Sequence, residues 1–281
     1  MTEQVQGSPG AVTGTTIGVV GTGNMGSALV RGWVRASLPG VRLLVWDKIP
    51  SAMARVGECE GVLVAGSPAQ LAGEADFVMV VVKPKDAVEV LGSLAPLLRD
   101  DQVIVSAMAG VELARIRQLA GPGPAVFRVM PNLGVELGVG SIAVAGEPGG
   151  SVLAGRRVAD LFVPLGLTVA VPESMLDAVT AVSGTGPALL ALALEGLEDG
   201  GVAAGLGRPV ARMFARRGML GAARMLVAGD TSASELQERL APPGDPLHDG
   251  VELLEERQVR RAFQEAVEAA SERARQMRAP H

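Results

Sequence analysis

Side chains able to do chemistry are sparse in this sequence and gather in three places. The first is a glycine-spaced turn, Gly21-Thr22-Gly23-Asn24-Met25-Gly26, set between the β-branched run Thr16 to Val20 and a stretch of helix composition, Ser27 to Trp33. Glycines at this spacing serve separate ends. The first permits a tight turn, the second lets a diphosphate approach the backbone, and the third lets helix and strand pack closely. The helix N-terminus then faces the phosphates, so Gly21, Gly23, Asn24, Met25 and Gly26 read as a dinucleotide cradle. With 37 glycines in the chain, chance matches to the spacing are expected. The place of this one, between strand and helix at the start of an α/β pattern, gives it weight.

The second place is the ends of the strand-like runs. Asp47 closes the run Leu43 to Trp46; a carboxylate there accepts hydrogen bonds from the adenosine ribose and repels a 2′-phosphate, which favours NADH. Lys48 beside it would pair with that phosphate under the opposite reading. Val82-Lys83-Pro84, Ala107-Met108-Ala109 and Met130-Pro131-Asn132 end the next three runs, where ligands of open α/β sheets collect. Close packing of small residues and turn formation are the local alternatives. The third place is Ser183-Gly184-Thr185-Gly186-Pro187, ahead of a helical stretch from Ala188 to Glu195. Hydroxyls and backbone N–H groups at a helix N-terminus favour a carboxylate. A plain N-cap by Thr185, with Pro187 in the first turn, is the competing role.

Composition removes other chemistries. There is no tyrosine to act as an acid, Cys59 is alone, and two histidines cannot build a metal cluster, so no metal is expected. A net charge of −5 gives no footprint for nucleic acid. A lone cysteine suits a reducing cytoplasm. No apolar stretch is expected to reach the roughly 20 residues that span a bilayer, so no membrane partner is expected.

The elements that must position these groups divide the chain. Residues 1–15, polar and rich in Gly, Ser and Thr, read as a disordered tail. Between 16 and 172, short β-branched runs (Thr16 to Val20, Leu43 to Trp46, Phe77 to Val82, Val103 to Ala107, Ala125 to Val129, Ser141 to Ala145, Thr168 to Val171) alternate with helix-length segments, the pattern of a doubly wound parallel sheet. From 173 to 281 no strand is expected. Ala, Leu, Glu and Arg dominate, broken at Gly207-Arg208-Pro209 and Ala241 to Pro246, and the last segment, Val251 to Met277, carries one apolar stripe.

Four further segments, Val80-Val81-Val82-Lys83-Pro84, Ser106 to Val111, Arg128 to Asn132 and Leu176 to Ala188, occur in an order and spacing that resembles the pyrroline-5-carboxylate reductases over nearly the whole chain. The resemblance implies an N-terminal Rossmann-like α/β domain and an all-helical dimerisation domain, hence a homodimer or higher oligomer. It implies hydride transfer from NAD(P)H to the C=N carbon of a small cyclic imine, giving L-proline. Val82, Lys83, Pro84, Ala107, Met108 and Ala109 would border the cofactor. Thr185 and Ser183 would act on the imine, with Glu173, Thr180, Gly184, Gly186 and His248 around the substrate; a solvated or capping carboxylate is the alternative for Glu173.

The sequence departs from the family in one loop above all. A Ser-Pro-Gly-Gly-Thr-Thr-like stretch is here Pro242-Pro243-Gly244-Asp245-Pro246-Leu247, so Leu247 stands where a threonine hydroxyl would hold the substrate carboxylate. Arg239 and Pro68 replace asparagines expected at the cofactor, and Leu133-Gly134 replaces Thr-Pro. The lost donor and the added carboxylate of Asp245 oppose carboxylate binding; His248 or Arg239 would have to compensate. Two alternatives follow: a reductase of another cyclic imine, or a non-catalytic dinucleotide-binding homologue. A β-hydroxyacid dehydrogenase would carry a catalytic lysine in the helical half, and Val171 to His281 contains none.

Overall fold

The computed structural model describes residues 3–4, 13–229, 231–245 and 247–276. The described strands are β1 (Glu3–Gln4), β2 (Thr16–Val20), β3 (Arg42–Trp46), β4 (Val62–Val64), β5 (Phe77–Val80), β6 (Val103–Ser106), β7 (Ala125–Pro131), β8 (Gly140–Gly146) and β9 (Gly166–Ala170). They form one sheet in the order β1-β9-β8-β7-β6-β5-β2-β3-β4. From β4 to β7 every pairing is parallel; β8 runs antiparallel to β7, and β9 parallel to β8. The strand order reverses between β2 and β5, so the crevice beyond their carboxyl ends is where such a sheet takes a ligand.

The crossover helices are α1 (Asn24–Ala36), α2 (Pro50–Gly57), α3 (Pro68–Glu74), α4 (Ala87–Leu94), α5 (Leu113–Ala120) and α6 (Val152–Phe162). They form two apolar layers. Ile17, Val19, Leu29, Trp33, Phe127 and Phe162 are buried in one, and Val20, Leu71, Val78, Leu91, Ile104 and Ile116 in the other. Fully buried β2 residues of both layers show why this interior strand is an unbroken apolar run rather than an alternating one. Gly32 of α1 lies so close to the Val135 carbonyl that a Cβ would sit 2.4 Å from its oxygen.

The remaining described helices are α7 (Leu176–Val179), α8 (Gly186–Ala203), α9 (Arg208–Ala228), α10 (Ala233–Leu240), α11 (His248–Glu256) and α12 (Val259–Gln276), with a π-helical turn over Thr180–Gly184. Contacts divide the chain into two units, one running to Gly184 and including the chain from Ser271, the other Thr185–Ala270. The first unit therefore keeps 173–184, which composition alone had grouped with the helices. In the second unit, Glu198 of α8 is buried and accepts from Arg212 of α9 at 3.0 Å, with Arg216 at 3.7 Å. Large apolar side chains of α8 and α9, among them Leu192, Met213, Phe214 and Val227, stand exposed.

Several expectations need amendment. Within the segment read as a tail, Glu3–Gln4 pairs antiparallel with Val169 and Ala170, and Thr13 to Thr15 are described; the rest lies outside the described residues. The final helix is two: Gln258 takes φ 56, and Arg257 N–H and Gln258 N–H close α11 on the carbonyls of Leu253 and Glu255. One helical run, Glu173–Ala203, is long and apolar enough to cross a membrane by length and composition, where none was expected. It is not a uniform helix, since a 3-10 turn and the π-turn interrupt it, and it carries Glu173, Asp177, Glu195, Glu198 and Asp199.

Candidate functional site

The glycine turn connects β2 to α1 at the switch point, and its glycines differ in what surrounds them. Gly21 takes φ 97, and a Cβ there would meet the Val81 carbonyl oxygen at 2.6 Å; one on Gly26 would meet the Gly21 carbonyl oxygen at 2.0 Å. Those two are glycine for the turn and for strand-to-helix packing. A Cβ on Gly23 would meet nothing within 4 Å. Gly23 is the N-cap of α1 with no side-chain cap and no acidic residue in the first turn, so the helix offers its first N–H groups and positive end to open space. Gly23 and Asn24 are exposed and Met25 is half-buried. A backbone donor set facing a space that only glycine leaves open fits a pyrophosphate.

Asp47 ends β3 beside this turn. Its Oδ2 accepts from the Thr22 N–H at 2.7 Å and from the Thr22 hydroxyl at 3.3 Å, while Oδ1 accepts from the Ile49 N–H at 2.8 Å. The carboxylate thus braces the turn and fixes its own position at the edge. Lys48 points elsewhere: its Nζ donates to Asp86 at 2.8 Å, with Glu89 at 3.8 Å. The hydrogen bond from Lys48 lowers the Asp86 carboxyl below its ordinary value of 3.8, and the same bond raises the lysine.

The ends of β5 and β6 adjoin the turn. Val82 follows Val81, whose N–H donates to the Val20 carbonyl at 2.8 Å. Lys83 is exposed and leads into a 3-10 turn, Pro84–Asp86. Ala107 N–H donates to the Val80 carbonyl at 2.9 Å, Met108 N–H to the Ser106 hydroxyl at 3.2 Å, and Met108 is buried while Ala107 and Ala109 are half-buried. These expected cofactor residues therefore share one edge of the sheet with the glycine turn.

At the end of β7 the Asn132 amide makes four bonds. Its Oδ1 accepts from Gly134 N–H at 3.1 Å and Ser141 N–H at 3.2 Å, and its Nδ2 donates to the Ser141 hydroxyl at 3.0 Å and the Ser183 carbonyl at 3.2 Å. Asn132 is therefore both a turn former and the tether of the π-turn. Within that turn the Thr180 hydroxyl donates to the Leu176 carbonyl at 2.7 Å, and the Ser183 Oγ is buried with no hydrogen-bond partner. π-turns recur at functional sites. The Glu173 Oε1 accepts from Leu113 N–H at 2.7 Å and from Arg128 Nη1 at 2.6 Å, and its side chain is half-buried.

In the second unit, Thr185 is the N-cap of α8 in an αR conformation and its side chain makes no capping bond. The capping role open to its hydroxyl is thus not used, and Gly186 begins the helix. His248 begins α11; its Nδ1 is 3.0 Å from the Ala241 carbonyl oxygen, so Nδ1 carries the proton in that contact. Asp245 Oδ1 accepts from Leu247 N–H at 2.8 Å, and the Leu247 side chain is exposed. The departing loop is thus closed on its own carboxylate. No group of metal-ligating side chains is found among the described residues.

The role of Arg128 was missed. Its signal was legible as the single charge in the apolar strand Ala125–Pro131, a residue type rarely buried unless paired.

Known proteins match this arrangement. Residues 173–277 match the family model for pyrroline-5-carboxylate reductase dimerisation, and residues 16–110 that for NADP oxidoreductase, coenzyme F420-dependent. The pyrroline-5-carboxylate reductase of Glycine max is 35% identical, covering 93% of this chain and 96% of the relative; that of Methanosarcina acetivorans is 30% identical, covering 93% and 97%. Among solved structures, Plasmodium falciparum pyrroline carboxylate reductase with NADP bound is 26% identical with a TM-score of 0.84, covering 94% of this chain and 98% of that one. The Coxiella burnetii pyrroline-5-carboxylate reductase is 25% identical with a TM-score of 0.86, covering 95% and 100%. With a glycine turn at the switch point, a segment later in sequence that matches the dimerisation model and relatives of this kind along nearly its whole length, the chain belongs to the pyrroline-5-carboxylate reductase family.

Proposed function

We propose that the chain reduces 1-pyrroline-5-carboxylate to L-proline, acting on the C=N bond with NAD(P)H. The observation that carries this reading is the edge shared by two features: the open glycine turn at β2 and the π-turn that Asn132 holds at the end of β7. One would receive the dinucleotide, and the other sets Ser183 and its neighbours at the same edge. The bound cofactor supplies the hydride. A protonated cyclic imine is already electrophilic, so the protein's task is proximity and orientation. Ser183 and Thr185 steady the imine, directly or through water, with Thr180, Gly184 and Gly186 around it. Ala107, Met108 and Ala109 would border the nicotinamide, and Val82, Lys83 and Pro84 would hold the cofactor beside them.

For the cofactor we propose NADH. In support, Asp47 is a carboxylate fixed at the end of β3, of the kind that repels a 2′-phosphate, and Lys48, the nearest balancing cation in sequence, is engaged by Asp86 and Glu89. Exposed apolar side chains of α8 and α9 lie in the segment matched as a dimerisation domain, and a second copy covers them. We propose a homo-oligomer, soluble and cytoplasmic. Mixing the purified protein with NADH and racemic pyrroline-5-carboxylate, and following both cofactor oxidation and proline, tests the reading.

A second reading has its own support. Asp245 and Leu247 set a carboxylate and an apolar side chain in the loop ahead of α11, which suits a cyclic imine without a free carboxylate. Side-by-side turnover of 1-pyrroline and its 5-carboxylate separates the two.

A further inference from the structure

A π-turn such as Thr180–Gly184 is rare and is kept where neighbouring groups hold it. Beside the apolar packing of Leu176 with Met130, Ala143 and Ala145, two hydrogen-bonded contacts tie the run 173–184 to the sheet. At its far end the Asn132 amide holds the Ser183 carbonyl at 3.2 Å. At its near end Glu173 Oε1 joins the buried guanidinium of Arg128, in β7, to the first N–H of α5. The Arg128 side chain is 1% exposed, and its Nε and Nη2 are buried without partners. A cation stripped of water with unmet donors is a poor way to stabilise a strand, where an apolar side chain of the same volume would pack at less cost. Stability alone does not account for it.

We propose that Arg128 and Glu173 are positioning residues for the reduction: their ion pair, buried at Arg128 and half-buried at Glu173, anchors the start of the run whose π-turn carries Ser183. As positioning residues the two act on the turn through Glu173 Oε1, whose partners are both protein groups. Glu173 thereby acts through the geometry of the turn, and Arg128 acts through Glu173. This rests on the reductase reading, so the test includes a measurement that needs no turnover.

Three variants carry it: R128M/E173L, which removes both charges together and avoids leaving either one unpaired; E173A; and E173Q, which keeps the acceptor at Oε1. In R128M/E173L and E173A, amide hydrogen exchange within 180–184 should accelerate about tenfold or more while the β2 and β5 amides stay protected. NADH affinity should hold within about twofold and KM for the imine should rise about tenfold, more than kcat falls. E173Q should restore most of both. If R128M/E173L fails to fold, E173A against E173Q decides. Unchanged exchange at 180–184 with unchanged KM in the folded variants would overturn the proposal. Altered exchange with no imine reduction even by the unmodified protein would leave the anchor standing and remove the reductase reading.

Discussion

The same substitution at two glycines three residues apart should have opposite consequences. At Gly23 an added Cβ meets nothing within 4 Å, and the backbone angles, φ −63 and ψ −165, are open to alanine. Alanine there loses less chain entropy on folding, a gain of about 0.4–1 kcal/mol. It is a poorer N-cap than glycine, a cost of about 0.5–1 kcal/mol. The two terms cancel, so Gly23→Ala should melt within about 2 °C of the unmodified protein. At Gly26 the Cβ would lie 2.0 Å from the Gly21 carbonyl oxygen, a backbone atom that cannot turn aside. Gly26→Ala should cost about 1–3 kcal/mol or more, several degrees of melting temperature. Cofactor binding reverses the ranking of what each result means. Gly23→Ala should weaken NADH binding about tenfold to a hundredfold in a fluorescence titration, with a normal melt, because the methyl occupies the space through which the pyrophosphate approaches. A Gly23→Ala protein that binds NADH normally would refute the assignment of the turn.

Three further outcomes follow. Asp47→Ser should lift the affinity for NADPH relative to NADH about tenfold or more, read by paired titrations, since it removes the carboxylate that repels the 2′-phosphate; an unchanged ratio would contradict the proposed NADH preference. Asp245→Gly with Leu247→Thr should lower KM for pyrroline-5-carboxylate about fivefold to a hundredfold, the return of one carboxylate donor and the loss of one like charge; no change would remove the loop from substrate recognition. The capping box of α10 should add an acid-sensitive increment to stability. Backbone and side-chain hydrogen bonds from Ser232 lower the Glu235 carboxyl below its ordinary value of 4.5. A carboxyl lowered by folding stabilises the fold above that value and loses its contribution as pH falls through the lowered one, so the melting temperature of Glu235→Gln should approach that of the parent in acid. A difference that stays constant from pH 7 to about pH 3 would contradict this.

Much of this architecture was legible because the residues concerned obey one rule at a time. Thr16 to Val20 is an apolar run followed by glycines, and it is the interior strand β2. Val62–Val64 escaped notice because a strand of three residues is too short to show a period, with only Val62 buried. The break between α11 and α12 falls at Arg257-Gln258 with no glycine or proline to announce it; Gln258 accepts a left-handed backbone because the chain must turn there. At the site, the glycine turn could be read from spacing, whereas the division of labour among its glycines needed the neighbouring carbonyls. Glu173 illustrates the other limit. The resemblance puts it near the substrate, while the groups it contacts here, Arg128 and Leu113, lie 45 and 60 residues away, a pairing that no local pattern contains.

The most direct test of the central claim is steady-state turnover: purified protein, NADH, racemic pyrroline-5-carboxylate, with cofactor oxidation and proline quantified in the same reaction. Stoichiometric loss of NADH and gain of proline, abolished or sharply reduced in Gly23→Ala, is the expected result. Tight NADH binding without proline formation, with the 5-carboxylate rejected and plain 1-pyrroline reduced or no imine reduced at all, would contradict it.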